Sequence, residues 1–303
     1  MKLQSEQIEH FFNKGYLVVE NVFSPAEDLD PVIAAYAEFI DQRAVELKHQ
    51  GKIHDLGEGL PFEKRFAVLY AQSHDIEDDL DIMRSRLERI YNFLFNPKLL
   101  DVAESLLGSE LICSPIQHIR AKIPTKIIAQ GVPHYIHNVP WHQDAAVTQE
   151  DADPYNIFTF WIPLVDANQE TGCMEVLPEA FKLGLLEHEN VAGLTIVPSA
   201  LPDIAPQPVP CKKGGIVIMS KYTPHRGLPN LSDKVRWSLD LRYQAVGSST
   251  GRAFYPDFVV RSRKQPELVQ PDFENWRRDW IEALEAHKAT KKYRSAIRTQ
   301  LAV

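Results

Sequence analysis

Val139-Pro-Trp-His-Gln-Asp144 is the stretch on which the reading of this chain turns. One residue separates His142 from Asp144, and on a β-strand that spacing sends both side chains to the same face. A second histidine follows in Thr223-Pro-His225, and Arg236 stands further along. Two imidazoles and one carboxylate are the protein ligands of a non-haem Fe(II) facial triad. Such a triad leaves positions open for a co-substrate and O₂. The planar fork of an arginine suits a carboxylate on that co-substrate. His-x-Asp alone arises often by chance. The pair gains specificity from a histidine placed after the apolar run Gly215-Ile-Val-Ile-Met219 and an arginine after that. On this reading the expected chemistry is that of an oxygenase.

Composition narrows the alternatives. The chain has 303 residues, 44% hydrophobic and 24% charged, ordinary for a globular protein with a real core. Lysine and arginine total 33 against 41 acidic residues, a net charge of −8. That balance argues against nucleic acid or an anionic membrane as the main partner. Cys113, Cys173 and Cys211 are odd in number, widely spaced and without a CxxC, so neither a disulfide framework nor a zinc knuckle is expected. The opening Met1-Lys-Leu-Gln-Ser-Glu lacks an apolar signal core, and no run of 18 apolar residues occurs. A cytoplasmic protein acting on a small molecule is the expectation.

The N-terminal part, to about residue 110, reads as mostly helical. Ser5 to Lys14 is amphipathic, and Gly15 supplies a stop. Tyr16 to Glu20 reads as a strand. Ser24-Pro25-Ala-Glu27 has an N-cap, a proline at the first helical position and a capping-box acid. Residues 51–61, rich in glycine, form a loop. Helices are predicted at about 76–95 and 97–107. In the first, Leu80, Met83, Leu87, Ile90, Tyr91 and Leu94 make an apolar stripe, best explained as core packing. From about 111 to 246 the texture is β: Leu111–Cys113, Gln117–Ile123, Ile157–Val165, Met174–Leu177, Gly215–Met219 and Arg236–Gln244, punctuated by turn residues. Residues 183–211, with their prolines, look like a surface excursion. A helical tail is predicted at about 272–300, with Phe273, Trp276, Trp280 and Leu284 on one face. One domain with a β core and helices at both ends is the simplest description.

Among eleven histidines, decoys need weighing. His134 and His137 precede the motif in a proline-rich context with no obvious third ligand. His118 shares a predicted strand face with Arg120 and Lys122. In Arg236-Trp-Ser-Leu-Asp-Leu-Arg-Tyr243, period-two alternation separates a packing face (Trp237, Leu239, Leu241, Tyr243) from a polar one (Arg236, Ser238, Asp240, Arg242). Two readings stand for the polar face: a solvated edge joining Asp240 to Arg242, or a pocket wall in which Arg236 clamps a carboxylate and Ser238 adds a hydrogen bond.

These segments resemble the phytanoyl-CoA dioxygenase family of Fe(II)/2-oxoglutarate oxygenases. The resemblance runs from Phe11-Phe-Asn-Lys-Gly-Tyr-Leu-Val-Val-Glu-Asn-Val-Phe-Ser24 through Trp141-His-Gln-Asp144 and Thr171-Gly-Cys-Met-Glu-Val-Leu-Pro178. It ends in Pro224-His-Arg-Gly-Leu-Pro-Asn-Leu-Ser-Asp-Lys-Val-Arg236. It implies a double-stranded β-helix, a cupin-like jelly roll with the metal at its mouth. It also implies His142, Asp144 and His225 as iron ligands, and Arg236 on the distal carboxylate of 2-oxoglutarate. Trp161 would wall the pocket, and Gln143 would face co-substrate or substrate, although strand alternation turns it away. The family often has serine where Gly227 stands, so one co-substrate hydrogen bond is missing or comes from Ser238. Related halogenases carry Ala or Gly at the position of Asp144, so a carboxylate there implies hydroxylation without halide. The implied reaction consumes O₂ and 2-oxoglutarate and releases succinate and CO₂. Desaturation, ring closure or acyl-CoA hydroxylation are variants of it, and a non-oxygenase cupin-like metal protein is the rival class.

Overall fold

The computed structural model describes residues 1–128, 139–190, 193–290, 294 and 298–299. Helix α1 (Ser5–Lys14) ends at Gly15, whose φ of 82° is the left-handed conformation a helix stop requires. β1 (Tyr16–Val19) follows, then a π-helical turn (Pro25–Leu29) leading into α2 (Asp30–His49). Ser24 does cap this turn, accepting from Glu27 N. The reciprocal acceptor for Ser24 N is the Asp28 carboxylate at 2.7 Å, not Glu27. The wider π turn moves the partner one residue on.

The helix expected over 76–95 is in fact broken. A 3₁₀ turn at His74–Glu77 precedes α4 (Ile82–Ser85) and α5 (Glu88–Phe93), and an unpredicted helix, α3 (Phe62–Gln72), lies before them. Asp79 (φ 59°) and Arg86 (φ 44°) interrupt the run. The stripe is core nonetheless: Leu80, Ile90, Tyr91 and Leu94 are buried, with Met83 and Leu87 packed against them. Helix α6 (Pro97–Leu107) starts on Asn96, whose side chain accepts from Lys98 N and Leu99 N.

The β region holds β2 (Glu110–Cys113), β3 (His118–Lys122), β4 (Ile157–Pro163), β5 (Met174–Val176), β6 (His188–Asn190), β7 (Leu194–Ile196), β8 (Gln207–Val209), β9 (Ile216–Ser220), β10 (His225–Gly227), β11 (Arg236–Ala245) and β12 (Phe258–Ser262). The expected excursion over 183–211 thus contains three short strands, and β12 was not anticipated. Helix α7 (Phe273–Ala286) and the short β13 (Arg298–Thr299) follow. The larger sheet runs β1-β9-β4-β11-β2-β12, with β3 also paired to β11, and the smaller runs β10-β5-β8. All these pairings are antiparallel. The architecture is a jelly roll with flanking helices.

Both faces of the larger sheet are covered, so β4 is buried at every position and shows no polar alternation. Outward, Phe158, Phe160, Ile162, Trp237, Leu239 and Leu241 join the helices in one apolar core. Phe62 of α3 stacks on Trp237 with ring centroids 4.7 Å apart. Inward, Trp161, Val217 and Met219 meet Met174, Val176 and Val209 of the smaller sheet. The cavity lies between the two sheets. All three cysteines are unpaired and buried. No helix among the described residues is long and apolar enough to cross a membrane.

Candidate metal and co-substrate site

His142 and His225 are held together by their backbones. His142 N donates to His225 O, and His225 N donates to His142 O, both at 3.0 Å. This bridge extends the smaller sheet by one rung beyond β10. The residue between the first two candidate ligands, Gln143, is extended (φ −124°, ψ 136°). Alternation therefore carries from His142 to Asp144, although Asp144 itself opens a 3₁₀ turn (Asp144–Val147) in place of the expected strand. Candidate ligand atoms of His142, Asp144 and His225 all lie within 4.8 Å of one another. Each imidazole Nε2 is 3.9 Å from Asp144 Oδ1.

Both rings are oriented in the same way. His142 Nδ1 bonds Pro140 O and His225 Nδ1 bonds Thr223 O, each at 2.9 Å. A carbonyl only accepts, so Nδ1 carries the proton and Nε2 keeps its lone pair for a cation. Burial, then the neighbouring His225, pushes His142 down to about 3, which keeps it neutral at ordinary pH. Burial alone would raise the Asp144 carboxyl. Arg242 and the two imidazoles outweigh that and hold it well below the usual carboxylate range. Two imidazoles that each turn Nε2 inward and one ionised carboxylate on a single face are a donor set that fits Fe(II).

Gln143 does not face this space. Its Nε2 donates to Gly184 O (2.8 Å) and Tyr222 O (2.6 Å), and its Oε1 accepts from Leu186 N (2.8 Å). Its backbone N donates to His188 Nε2 at 3.1 Å. The expected co-substrate contact is replaced by a rivet that ties the His142–Asp144 segment to the chain before His225. Alternation, which turned Gln143 away, was the sounder guide.

Arg236 lines the same cavity. It is buried, donates from Nη1 to Ser238 Oγ (2.5 Å) and from Nε to Gly172 O (3.3 Å). Its guanidinium carbon lies 5.1 Å from the Trp161 ring centroid. No carboxylate of the described residues pairs with it. Burial pulls it down to about 10, still charged at neutral pH. Its cross-strand partner on β3 is Lys122, likewise buried, with Nζ 3.3 Å from Gly227 O. Burial, then Arg236, brings Lys122 down to about 6. The glycine at 227 now has a reason: a Cβ there would stand 3.0 Å from Lys122 Nζ. A serine there would require the lysine to give way by a few tenths of an ångström. Gly172 is similarly constrained, since its φ is 81° and a Cβ would lie 2.5 Å from Leu228 O.

Arg242 departs from the solvated-edge reading. It is buried and donates to Asp144, from Nη2 to Oδ1 at 2.7 Å and from Nε to Oδ2 at 3.3 Å. Thr159 of β4 also donates to Oδ2. Of the two readings of the polar face, the pocket wall applies to Asp240 and Arg242 as well as to Arg236. The period-two pattern already put Arg242 there. What it lacked was the reach of β11, whose two ends serve different parts of one cavity. Lys122 had the same signal, through its shared face with His118.

That cavity has a volume of about 370 Å³, within the range of small-molecule sites. His142, Asp144, His225, Trp161, Arg236 and Arg242 all line it. Glu77, Asp81, His118, Arg120 and Asp240 line it too, and are more exposed than Arg236 and Arg242. His118 Nδ1 bonds Asp81 Oδ2 at 2.7 Å, and Arg120 lies 3.8 Å from Asp240. His134 and His137 lie outside the described residues.

The phytanoyl-CoA dioxygenase profile matches residues 11–238, well over half of the chain. The chain belongs to the phytanoyl-CoA dioxygenase family. Iron and 2-oxoglutarate are accordingly its cofactor and co-substrate. Solved structures with a similar fold include the apo form of the non-haem monooxygenase ThoJ, at 16% identity and a TM-score of 0.63, covering 94% of this chain and 100% of that one. The α-ketoglutarate-dependent carbocyclase SnoK of nogalamycin biosynthesis has 20% identity and a TM-score of 0.53, covering 80% of this chain and 84% of its own. The epimerase SnoN, solved with Fe³⁺, α-ketoglutarate and a nogalamycin, has 18% identity and a TM-score of 0.53, covering 82% and 88%.

Proposed function

We propose that this member of the family hydroxylates a C–H bond of a small polar metabolite, with release of succinate and CO₂. One observation carries the reading. His142, Asp144 and His225 converge in a cavity that also holds a buried arginine without a carboxylate partner among the described residues. A metal-binding protein without this chemistry has no need for that arginine. Bound iron would supply O₂ activation coupled to decarboxylation of the 2-oxo acid.

The chain's residues have separable tasks. His142, Asp144 and His225 hold the metal through Nε2, one carboxylate oxygen and Nε2. Arg236 binds the distal carboxylate of 2-oxoglutarate, steadied by Ser238 and by the Trp161 face. Lys122, beside it, adds a second donor. An arriving carboxylate returns Lys122 toward its charged form, so both cations then serve one dianion. The inward apolar side chains Trp161 and Met174 keep water from the reacting end.

Asp144 supports hydroxylation over halide transfer, because the carboxylate fills the position a halide would take. The cavity lining supports a small polar substrate. Glu77, Asp81, His118, Arg120 and Asp240 are charged or titratable, while a long acyl chain would call for an apolar tunnel. Substrate-stimulated succinate release tests this reading. A screen in which only long acyl thioesters stimulate release would refute the polar-substrate reading. A product that is cyclised or epimerised instead of hydroxylated would refute the outcome.

A further inference from the structure

The mechanism above leaves the buried charge of Arg242 without a task. Arg242 lies beyond the residues matched to the family, 11–238, and it touches a metal ligand. Its position is tightly set. Nη1 donates to Ile116 O at 3.2 Å, and its backbone N donates to Gln117 Oε1 at 3.1 Å. From there Nε and Nη2 reach both oxygens of Asp144. With Thr159 added, Oδ2 accepts two hydrogen bonds and has no lone pair left to offer. Oδ1 accepts one, from Arg242, and is the oxygen that stands 3.9 Å from both imidazole Nε2 atoms. A carboxylate held in this way presents a single oxygen to a cation. Its charge is shared with a guanidinium, so it donates less than a free carboxylate.

We propose that Arg242 is a positioning residue of the metal centre: it fixes Asp144 as a one-oxygen ligand and withdraws charge from it, leaving the metal more electron-poor. The inference rests on the functional reading above, which assigns iron and 2-oxoglutarate to this cavity. Its consequence is twofold. Metal affinity depends on a residue that never touches the metal. The electron density on iron, and with it the energy of charge transfer to bound 2-oxoglutarate, depends on the guanidinium charge.

The test uses the full-length protein, Fe(II) and 2-oxoglutarate under anaerobic conditions, with no substrate. The wild type is first required to show the visible charge-transfer band. Its absence there would refute the functional reading and not this inference. Arg242→Met is then expected to weaken Fe(II) binding by about 10–100-fold, the usual cost of losing an outer partner of a ligand. At saturating metal its band moves to lower energy, because the metal regains electron density. Arg242→Lys, which keeps the charge and one donor, restores the band toward the wild-type position. Should Arg242→Met not fold, Arg242→Gln serves in its place, and Thr159→Val reads the positioning part alone, with a smaller loss of affinity. An unchanged affinity and band in folded Arg242→Met or Arg242→Gln overturns the proposal. So does a loss of affinity with an unmoved band, the signature of a purely structural residue.

Discussion

β11 presents two buried arginines to the same cavity, and they differ in what they meet. Arg242 finds a carboxylate of its own chain, Asp144, and engages both of its oxygens. Arg236 finds a hydroxyl, a carbonyl and an aromatic face, but no carboxylate among the described residues. Burying a guanidinium is costly, and an internal ion pair offsets the cost at Arg242. At Arg236 the offset is incomplete in the protein alone. Neighbouring Lys122 offers no offset: burial, then Arg236 on the same rung of the sheet, pulls it down to about 6. One end of the strand is electrostatically closed, and the other is left open among the described residues.

Variants of the metal ligands give the largest effect. His142→Ala or His225→Ala is expected to reduce substrate-stimulated succinate release to background and to remove the charge-transfer band. Metal content by elemental analysis distinguishes lost binding from lost turnover.

Arg236→Ala comes next, and it breaks the comparison at its open end. Loss of a bidentate charge-assisted contact is worth roughly 1.5–3 kcal/mol. Affinity for 2-oxoglutarate in titrations should therefore fall by about 10–100-fold, while Fe(II) affinity stays near wild type. Undiminished 2-oxoglutarate binding in that variant would remove the clamp assignment.

Lys122 sharpens the comparison through pH. Its free-site value of about 6 lies below the ordinary lysine value. An arriving carboxylate raises it again, so binding takes up a proton above pH 6. Affinity for 2-oxoglutarate should thus weaken as pH rises from about 6, by up to about tenfold per unit. Isothermal titration across pH 6–9 reads this slope, and Lys122→Met should flatten it.

Trp161→Leu is the smallest change. It removes a cation–π contact worth about 0.5–2 kcal/mol and should raise the 2-oxoglutarate dissociation constant several-fold. An effect as large as that of Arg236→Ala would move the main recognition from the guanidinium to the ring.

Much of this was legible in the amino-acid sequence. Alternation in Arg236–Tyr243 separated the helix-facing Trp237, Leu239, Leu241 and Tyr243 from the cavity-facing set, and the structure keeps that division. Helix α6 appeared at its predicted bounds, because a capping asparagine, a proline and a terminal glycine mark it. The helix over 76–95 was misjudged because side-chain periodicity is blind to backbone reversals at Asp79 and Arg86. The ligand motif was read as a strand, whereas Asp144 starts a 3₁₀ turn. Only the extended Gln143 preserved the outcome. Arg242 escaped for a different reason. Its partner lies 98 residues away in sequence, and no local pattern reports such a pairing. The rest of the cavity lining was the least legible, because it comes from the segment before α4, from β3 and from loops that converge only in three dimensions.

The central claim is that an iron site and a 2-oxoglutarate clamp share this cavity. Its most direct test is titration of anaerobic, Fe(II)-loaded wild-type protein with 2-oxoglutarate, followed in the visible spectrum. A saturable charge-transfer band with one equivalent bound per chain is the predicted result. Folded, iron-loaded protein that develops no band would contradict it.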